Sequence, residues 1–242
     1  MPKNYGVPLA IIIAGLLVAG AIMFGGSGRG LNLTPYPSQP AANSNTTPIR
    51  PADEKDHLLG HLGSPVTVIE YSDLECPFCK MFHLTMQEAM SYYNGGEEVQ
   101  VSWVFRNFPL VSLHSKAPHE AEAAECAGEL GGNTKFWAYV DKVFATTPSN
   151  DGLDPALLPT FAEQIGLNKK AFTDCLNSGK YTAKVQASYD EAIAAGGTGT
   201  PFVTVIGPDG KQTTLPGAVP LDQLKTVIDG YLGTSSTTTA TQ

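Results

Sequence analysis

The sequence has few basic residues, and no segment gathers them into a patch. Its 242 residues include 15 Lys or Arg and 23 Asp or Glu, which gives a formal net charge of -8. Because proteins that bind nucleic acid carry a basic stripe facing the phosphates, this composition argues against that function. The hydrophobic content of 42% is ordinary for a folded protein. The length allows one core of moderate size with additional segments, rather than several large domains.

Patterns of metal ligands are scarce as well. The only Cys-x-x-Cys is formed by Cys76 and Cys79, whereas a zinc site usually needs a second such pair or a pair of histidines. The other two cysteines, Cys126 and Cys175, lie 49 positions apart, and the five histidines show no ligand spacing. We therefore expect no metal site. We expect His114 to be a solvated loop residue, although its loop could approach an active site.

The N-terminal segment contains one long apolar run, from Val7 to Phe24, without a charged residue. Its 18 residues would span about 27 Å as a helix, close to the roughly 30 Å hydrocarbon core of a bilayer. Residues 1–24 are therefore predicted to be a transmembrane anchor, with the core of a cleaved signal peptide as the alternative. Residues 25–55 have the composition of a flexible tether, and residues 234–242 that of a polar tail.

The stretch after this tether delivers two thiols to the start of a helix. The β-branched run from Val66 to Tyr71 predicts a strand, and Cys76-Pro77-Phe78-Cys79 then leads into a helical pattern. A helix N-terminus favours an anion, which lowers the pKa of Cys76 and makes it a nucleophile. Dithiol–disulfide exchange is the favoured interpretation over a purely structural disulfide. Glu75 is expected to be exposed and to oppose thiolate formation weakly.

The rest of the chain predicts an α/β fold with a long helical segment inside it. A second strand over Val99–Phe105 implies a parallel pair joined by a right-handed crossover. Helical patterns separated by Gly131-Gly132 and Gly179 fill residues 111–197. A further strand at Phe202–Ile206 is followed by a turn at Pro208-Asp209-Gly210, a returning strand at Thr213–Leu215 and a final helix from Pro220.

In their order along the chain, these pieces resemble a DsbA-type thiol:disulfide oxidoreductase of the thioredoxin superfamily, of its membrane-tethered or secreted subgroup. The resemblance covers about three quarters of the chain. It implies a thioredoxin-like domain in two parts, 56–110 and 198–233, with an all-helical insertion at 111–197. The matching motifs are Asp56-His57-x-x-Gly60, Glu70-Tyr-Ser-Asp-Leu-Glu-Cys76-Pro-Phe-Cys79, Phe105-Arg-Asn-Phe-Pro109 and Gly199-Thr200-Pro201.

The resemblance also implies roles for individual residues. Cys76 matches the exposed attacking cysteine and Cys79 the buried resolving one. Pro201 matches a cis-proline facing the dithiol, which leaves the backbone of Thr200 free to pair with an extended substrate; a trans strand start is the alternative. Glu70 matches a buried acid that exchanges a proton with Cys79, with its pKa raised by desolvation. A glutamate exposed at a sheet edge is the alternative.

One position departs from the family pattern. The strongest oxidants of this family have a histidine at the second position between the cysteines, where this chain has Phe78. Without that donor the Cys76 thiolate loses one source of stabilisation. We therefore expect an oxidant milder than the histidine-bearing members.

Cys126 and Cys175 fall on the apolar faces of two predicted helices. They could be two separate buried thiols, but a disulfide is favoured in an exported chain. Such a bridge would close a loop of about fifty residues and contribute about 4 kcal/mol in the chain-entropy model. Its role would be structural.

The function expected from the resemblance is disulfide formation in exported proteins, outside the cytoplasm, by a monomer. The redox-active group is the Cys76–Cys79 disulfide, and no cofactor is implied. The partners would be folding proteins with free thiols and a quinone-linked membrane oxidase of the DsbB or VKOR type. The alternatives are a reductase or isomerase of the same fold, and a chaperone without catalysis.

Overall fold

The structure is a computed structural model, and it describes residues 47–233. The predicted anchor at 1–24, the predicted tail at 234–242 and most of the predicted tether lie outside the described residues. Among residues 47–233, no helix is both long and apolar enough to cross a membrane.

A mixed sheet of five strands forms the centre of the described part. In space the strands follow the order β1-β3-β2-β4-β5. The β2–β3 pair is parallel and the other three pairs are antiparallel. The strands are β1 (His57–Leu59), β2 (Val66–Ser72), β3 (Val101–Asn107), β4 (Phe202–Ile206) and β5 (Gln212–Leu215).

The parallel pair is joined as the sequence predicts, by a single helix. Helix α1 (Pro77–Tyr93) connects β2 to β3 and buries one face, which includes Cys79, Phe82 and Met86. The short strand β1 was not predicted. It pairs with the outer edge of β3, and Gly60 follows it with φ of +92°, where a Cβ atom would lie 2.9 Å from the Val101 carbonyl oxygen. This position therefore requires glycine.

Helices fill the chain between β3 and β4. The predicted break at Gly131-Gly132 is present as a kink, because Gly132 has non-helical backbone angles inside a long helical stretch. The helices of this segment are α2 (Ala117–Thr146), a 3₁₀ turn (Pro155–Leu157), α3 (Leu158–Gln164), α4 (Lys169–Asn177) and α5 (Thr182–Ala194). After β5, α6 (Leu221–Leu232) closes the fold.

Two of the sequence motifs meet at a buried ion pair. Asp56, just before β1, accepts two hydrogen bonds from Arg106 of β3, each 2.9 Å long. Arg106 also donates to the Tyr71 hydroxyl and to Glu191 of α5. Burial opposes ionisation of Asp56, but its bonds to Arg106 and Arg50 lower its pKa to about 2. These residues of the Asp56 and Phe105–Pro109 motifs therefore join the sheet to α5.

The core lies on both faces of the sheet. The larger cluster packs α1, α2, α3, α4 and α6 against Val68, Trp103, Phe105 and Val203. The smaller cluster on the other face includes Ile69, Val104 and Phe202. Strands β2 and β3 are buried over nearly their whole length, and polar side chains such as Glu70 and Arg106 interrupt their apolar sequences.

Candidate active site

The two thiols lie at the start of α1, just after the turn that connects β2 to this helix. A turn after the strand is closed by a 3.1 Å hydrogen bond from the Cys76 amide to the Asp73 carbonyl. Cys76 is the N-cap of α1, and Pro77 takes the first helical position, where its missing N–H costs nothing. No acidic residue occupies the first turn of the helix. The positive end of the helix dipole is therefore directed at Cys76.

Cys76 is more enclosed than the resemblance implied, since only 5% of it is exposed. Its sulfur lies 3.5 Å from the carbonyl oxygen of Thr200, and the Thr200-Pro201 peptide bond is cis. The largest influence on the Cys76 pKa is a hydrogen bond from the Cys79 thiol, which lowers it. Burial raises this pKa, whereas Thr200 and the backbone amides of Phe78 and Cys79 lower it further. Together they lower the pKa of Cys76 to about 6. Cys76 is thus largely a thiolate at neutral pH.

Cys79 has the opposite environment. It is fully buried, and the Asp73 amide donates to its sulfur at 3.4 Å. Burial raises the pKa of Cys79 well above its ordinary value, and the hydrogen bond and charge of Cys76 and the charge of Glu70 add to the effect. Both cysteines are present as free thiols. One thiol is therefore prepared to attack, while its neighbour keeps its proton.

Glu70 lies beneath this pair, fully buried on β2. Its Oε2 accepts a 3.0 Å hydrogen bond from the indole nitrogen of Trp103, and its Oε1 makes no hydrogen bond to a described residue. Burial, together with the Cys76 charge, raises the pKa of Glu70 to about 7, against the hydrogen bond from Trp103. The carboxyl group is not at an exposed sheet edge, and it titrates in the range where proton exchange at neutral pH is possible.

Phe78, between the two cysteines, points outward into solvent. Its side chain is 57% exposed, and Met81 and Leu84 on the same helix are exposed as well. The thiolate therefore receives the backbone amide of Phe78 but nothing from its side chain.

Two expectations about neighbouring residues were wrong. His114 is 6% exposed rather than solvated, because its Nδ1 lies 2.9 Å from the Asp73 carboxylate and it forms part of the turn after β3. Glu75 is fully buried rather than exposed, because its carboxyl accepts from the Leu153 amide and the Thr147 hydroxyl. The period-2 pattern ends at Ser72, so nothing in the sequence marks the direction of side chains in the following turn.

A second buried carboxyl group meets Glu75. Glu120 of α2 is fully buried, and no donor among the described residues reaches its two oxygens. Burial and the hydrogen bond to Glu75 raise the pKa of Glu120 to about 9. Glu120 therefore stays protonated at neutral pH and donates a hydrogen bond to Glu75. The pair then carries no more than one negative charge beside Cys76.

The loop after α2 completes the support of this turn. Its residues Ser149, Asn150 and Asp151 all have positive φ, between 54° and 68°, which is uncommon for residues other than glycine. The Asn150 amide donates to the Glu75 carbonyl at 2.8 Å. The Asp151 carboxylate accepts from the amides of Ser115 and Lys116 at the start of α2. The loop thereby ties the helical segment to the residue preceding Cys76.

Comparison with known proteins agrees with this geometry. Residues 52–229 match a family model described as Thioredoxin. The chain belongs to the thioredoxin family. The described helical segment, the cis Thr200-Pro201 bond and the two thiols of this thioredoxin-family protein thus lie within the matched region.

Solved structures place the chain within the DsbA-like branch. Pseudomonas aeruginosa DsbA2 is 28% identical, with a TM-score of 0.63 over 75% of this chain and 95% of that chain. Wolbachia pipientis alpha-DsbA1 is 25% identical, with a TM-score of 0.63 over 75% of this chain and 93% of that chain. The predicted DsbA-like, thioredoxin-type α/β fold is confirmed.

One relative of similar sequence is named as an antiporter, unlike the DsbA-like solved structures. The chain is 34% identical over 154 residues to the Na(+)/H(+) antiporter NhaA 3 of Salinispora tropica. The match covers 64% of this chain but 22% of the antiporter, so the chain spans about a fifth of that relative's length.

The other two cysteines of this thioredoxin-family chain are joined to each other. A disulfide links Cys126 on α2 to Cys175 on α4, 49 residues apart in sequence. Both lie in the core cluster, away from solvent. Within residues 47–233 no cluster of three or more His, Cys, Asp or Glu side chains is placed to hold a metal ion.

Proposed function

We propose that this protein is a thiol:disulfide oxidoreductase that introduces disulfides into exported proteins. One observation carries the proposal: a thiol at a helix N-terminus has its pKa lowered to about 6, while the thiol one turn on is buried with a raised pKa. Stabilising the Cys76 thiolate stabilises the reduced enzyme, and this makes the Cys76–Cys79 disulfide an oxidant. The DsbA-like fold supports the same assignment.

The reaction transfers two electrons from a substrate to the enzyme. A substrate thiolate attacks the Cys76 sulfur of the oxidised pair, which forms a mixed disulfide and releases Cys79 as a thiolate. Cys79 takes up a proton, and Glu70 is the group that supplies it. A second substrate thiolate then attacks the substrate sulfur of the mixed disulfide. The substrate leaves with a disulfide, and Cys76 leaves as the thiolate of the reduced enzyme.

The Thr200-Pro201 segment is the proposed substrate contact. The Thr200 carbonyl oxygen lies 3.5 Å from the Cys76 sulfur. Proline at 201 leaves this short backbone segment outside the β4 ladder, which begins at Phe202. An extended peptide that places its thiol at Cys76 would pair with the backbone of Thr200 by strand addition.

The setting follows from the chemistry. Disulfides form and persist outside the reducing cytoplasm, so we place the domain on the extracytoplasmic side, held there by the segment 1–24 or secreted after its removal. The substrates are folding exported proteins with free thiols, and a quinone-linked membrane oxidase of the DsbB or VKOR type reoxidises the dithiol. We propose that the domain acts as a monomer. Antiport is not transferred from the curated relative, since the match covers 22% of that protein.

The direction of electron flow is the point to test. The reduction potential of the Cys76–Cys79 pair, measured by equilibration with glutathione, is expected to lie above that of thioredoxin, about -270 mV. A value as low as thioredoxin's would make the protein a reductase.

A trapping experiment tests catalysis itself. Cys79→Ser, mixed with a substrate protein that carries a disulfide, is expected to accumulate a mixed disulfide, because Cys76 attacks the substrate disulfide and the variant lacks the thiol that would resolve the product. Cys76→Ser is expected to abolish both trapping and substrate oxidation. The Cys126→Ala/Cys175→Ala variant is the matched control and is expected to retain oxidation. If Cys76→Ser kept the full function of the protein in cells, that function would be one of a chaperone without catalysis.

A further inference from the structure

His114 is a buried residue next to the dithiol. It lies in the turn after β3, where its amide donates to the Leu110 carbonyl at 2.9 Å and its carbonyl accepts from the Ala117 amide at the start of α2. The backbone is thus held on both sides, and 6% of the residue is exposed. Burying an imidazole costs free energy unless it has a hydrogen-bond partner, so the burial of His114 indicates such a partner.

Asp73 connects this imidazole to both cysteines. Its carboxylate lies 2.9 Å from His114 Nδ1 and accepts from the amides of Leu110 at 2.7 Å and Glu75 at 2.8 Å. Its carbonyl accepts from the Cys76 amide, and its own amide donates to the Cys79 sulfur. One residue therefore fixes the position of the imidazole relative to both reacting sulfurs.

The charges around Cys76 are mostly acidic. Asp73 and Glu75 lie in the turn that leads into Cys76, and a negative charge on either disfavours a thiolate. Burial opposes protonation of His114, but the hydrogen bond and charge of Asp73 and the charge of Cys76 raise its pKa above the ordinary value. Asn150 adds a further hydrogen bond. Because the interaction between two charges is mutual, the imidazolium that the thiolate stabilises must stabilise the thiolate equally.

We propose that His114, oriented by Asp73, is a positioning residue whose positive charge stabilises the Cys76 thiolate and so helps to set the oxidising strength of the dithiol. The imidazole comes from the turn after β3, outside the Cys-x-x-Cys segment, and Asp73 ties it to the residues that carry both sulfurs. The inference builds on the proposed role of Cys76 as the attacking thiolate.

Three variants separate charge from packing. His114→Asn keeps a side-chain donor for Asp73 but removes the positive charge. His114→Lys keeps a positive charge. His119→Asn is the matched control, since His119 is exposed in the first turn of α2.

The primary readout is the pKa of Cys76, which is measured from the ultraviolet absorbance of its thiolate as the pH is varied. His114→Asn is expected to raise this pKa by about half to one unit, which at pH 7 reduces the oxidising equilibrium constant about two- to fivefold, or about 10 to 20 mV. His114→Lys is expected to stay near the parent, and His119→Asn to match it.

A Cys76 pKa unchanged in folded His114→Asn would overturn the inference, and so would an equal rise in His114→Asn and His114→Lys. Unfolding in denaturant shows whether each variant is folded. The thiolate pKa is measured on the protein alone, without a substrate. A protein that proves to be a reductase would therefore refute the proposed direction of electron flow and leave the role of His114 separately testable.

Discussion

The indole nitrogen of Trp103 donates a 3.0 Å hydrogen bond to the Glu70 carboxyl group in a region of the core that solvent does not reach. A glutamate in such a place is retained at a cost to stability, because the charged form is poorly solvated. Its pKa of about 7 sets that cost as a function of pH.

Glu70→Gln should therefore stabilise the protein increasingly as pH rises. In the folded state the Glu70 pKa is above its unfolded value of 4.5, so the parent loses stability between pH 4.5 and 7 as the unfolded chain releases this proton more readily. From pH 5 to pH 8 the free energy of unfolding of Glu70→Gln should gain about 2 to 3 kcal/mol relative to the parent. Urea unfolding of the reduced proteins measures the difference.

The exposed Glu88→Gln is the matched control for this experiment and should follow the parent at both pH values. Glu70→Gln should also slow formation of the mixed disulfide, since the departing Cys79 thiolate loses its proton donor. A pH-independent stability difference between Glu70→Gln and the parent would contradict the assignment.

The Glu75–Glu120 pair predicts a contrast between two substitutions at the same site. Glu120→Gln keeps a donor for Glu75 and should fold with near-parental stability at pH 7. Glu120→Met has a similar shape but no donor, and should cost about 2 to 4 kcal/mol because it leaves a buried carboxylate without its partner. Denaturant unfolding at pH 7 compares them. Equal stability of the two variants would show that Glu75 does not depend on this proton.

The pair also has a pH dependence of defined sign. The Glu120 pKa is raised in the folded state, so its contribution is present at low pH and declines as pH rises towards about 9. The parent should lose stability towards pH 9 relative to Glu120→Gln, which has no proton to lose at this position. Parallel stability curves for the two proteins between pH 6 and 9 would exclude the shared proton.

Asp56 should contribute stability that disappears in acid. Its folded pKa of about 2 lies below the ordinary 3.8, so the contribution of about 2 kcal/mol is complete above pH 4 and is lost as pH falls towards 2. Asp56→Asn should cost about 2 to 4 kcal/mol at pH 7, because Arg106 is left buried with an incomplete set of partners. The exposed Asp53→Asn should change stability by less than about 1 kcal/mol. A cost no larger for Asp56→Asn than for Asp53→Asn would contradict this role.

The Cys126–Cys175 disulfide should support the fold without affecting the dithiol. Its removal in Cys126→Ala/Cys175→Ala is expected to lower the free energy of unfolding by up to about 4 kcal/mol, as loop closure over 49 residues predicts. The pKa of Cys76 should not change. Thiol counting on Cys76→Ser/Cys79→Ser, under denaturing and non-reducing conditions, should find no free thiol, and two free thiols would show that the bridge is absent.

Much of the fold could be predicted from the sequence, because apolar periodicity and turn residues mark it locally. The parallel β2–β3 pair, the break at Gly132 and the β4–β5 hairpin all follow from such patterns. Strand β1 escaped because three residues are too few to show alternation. It is held instead by Asp56 and Arg106, which lie 50 positions apart in the chain.

Some residues of the candidate site could likewise be predicted from the sequence, and others could not. Cys76, Cys79 and the Thr200-Pro201 segment could be picked out because a motif or a resemblance marks them. Asp73, His114 and Glu120 could not, because their importance depends on contacts between residues tens of positions apart and on burial within irregular turns. Polar residues in such turns look solvated in a sequence, and only the tertiary structure shows that Glu75 and His114 are enclosed.

The loop from Thr147 to Leu153 has a consequence for how such a protein can evolve. It contacts Glu75 through its backbone and anchors the start of α2 through Asp151. Substitutions in the helical segment can therefore change the setting of the reactive sulfur while the Cys-x-x-Cys dipeptide stays the same. Two proteins that share the sequence Cys-Pro-Phe-Cys therefore need not share an oxidising strength if this loop differs between them.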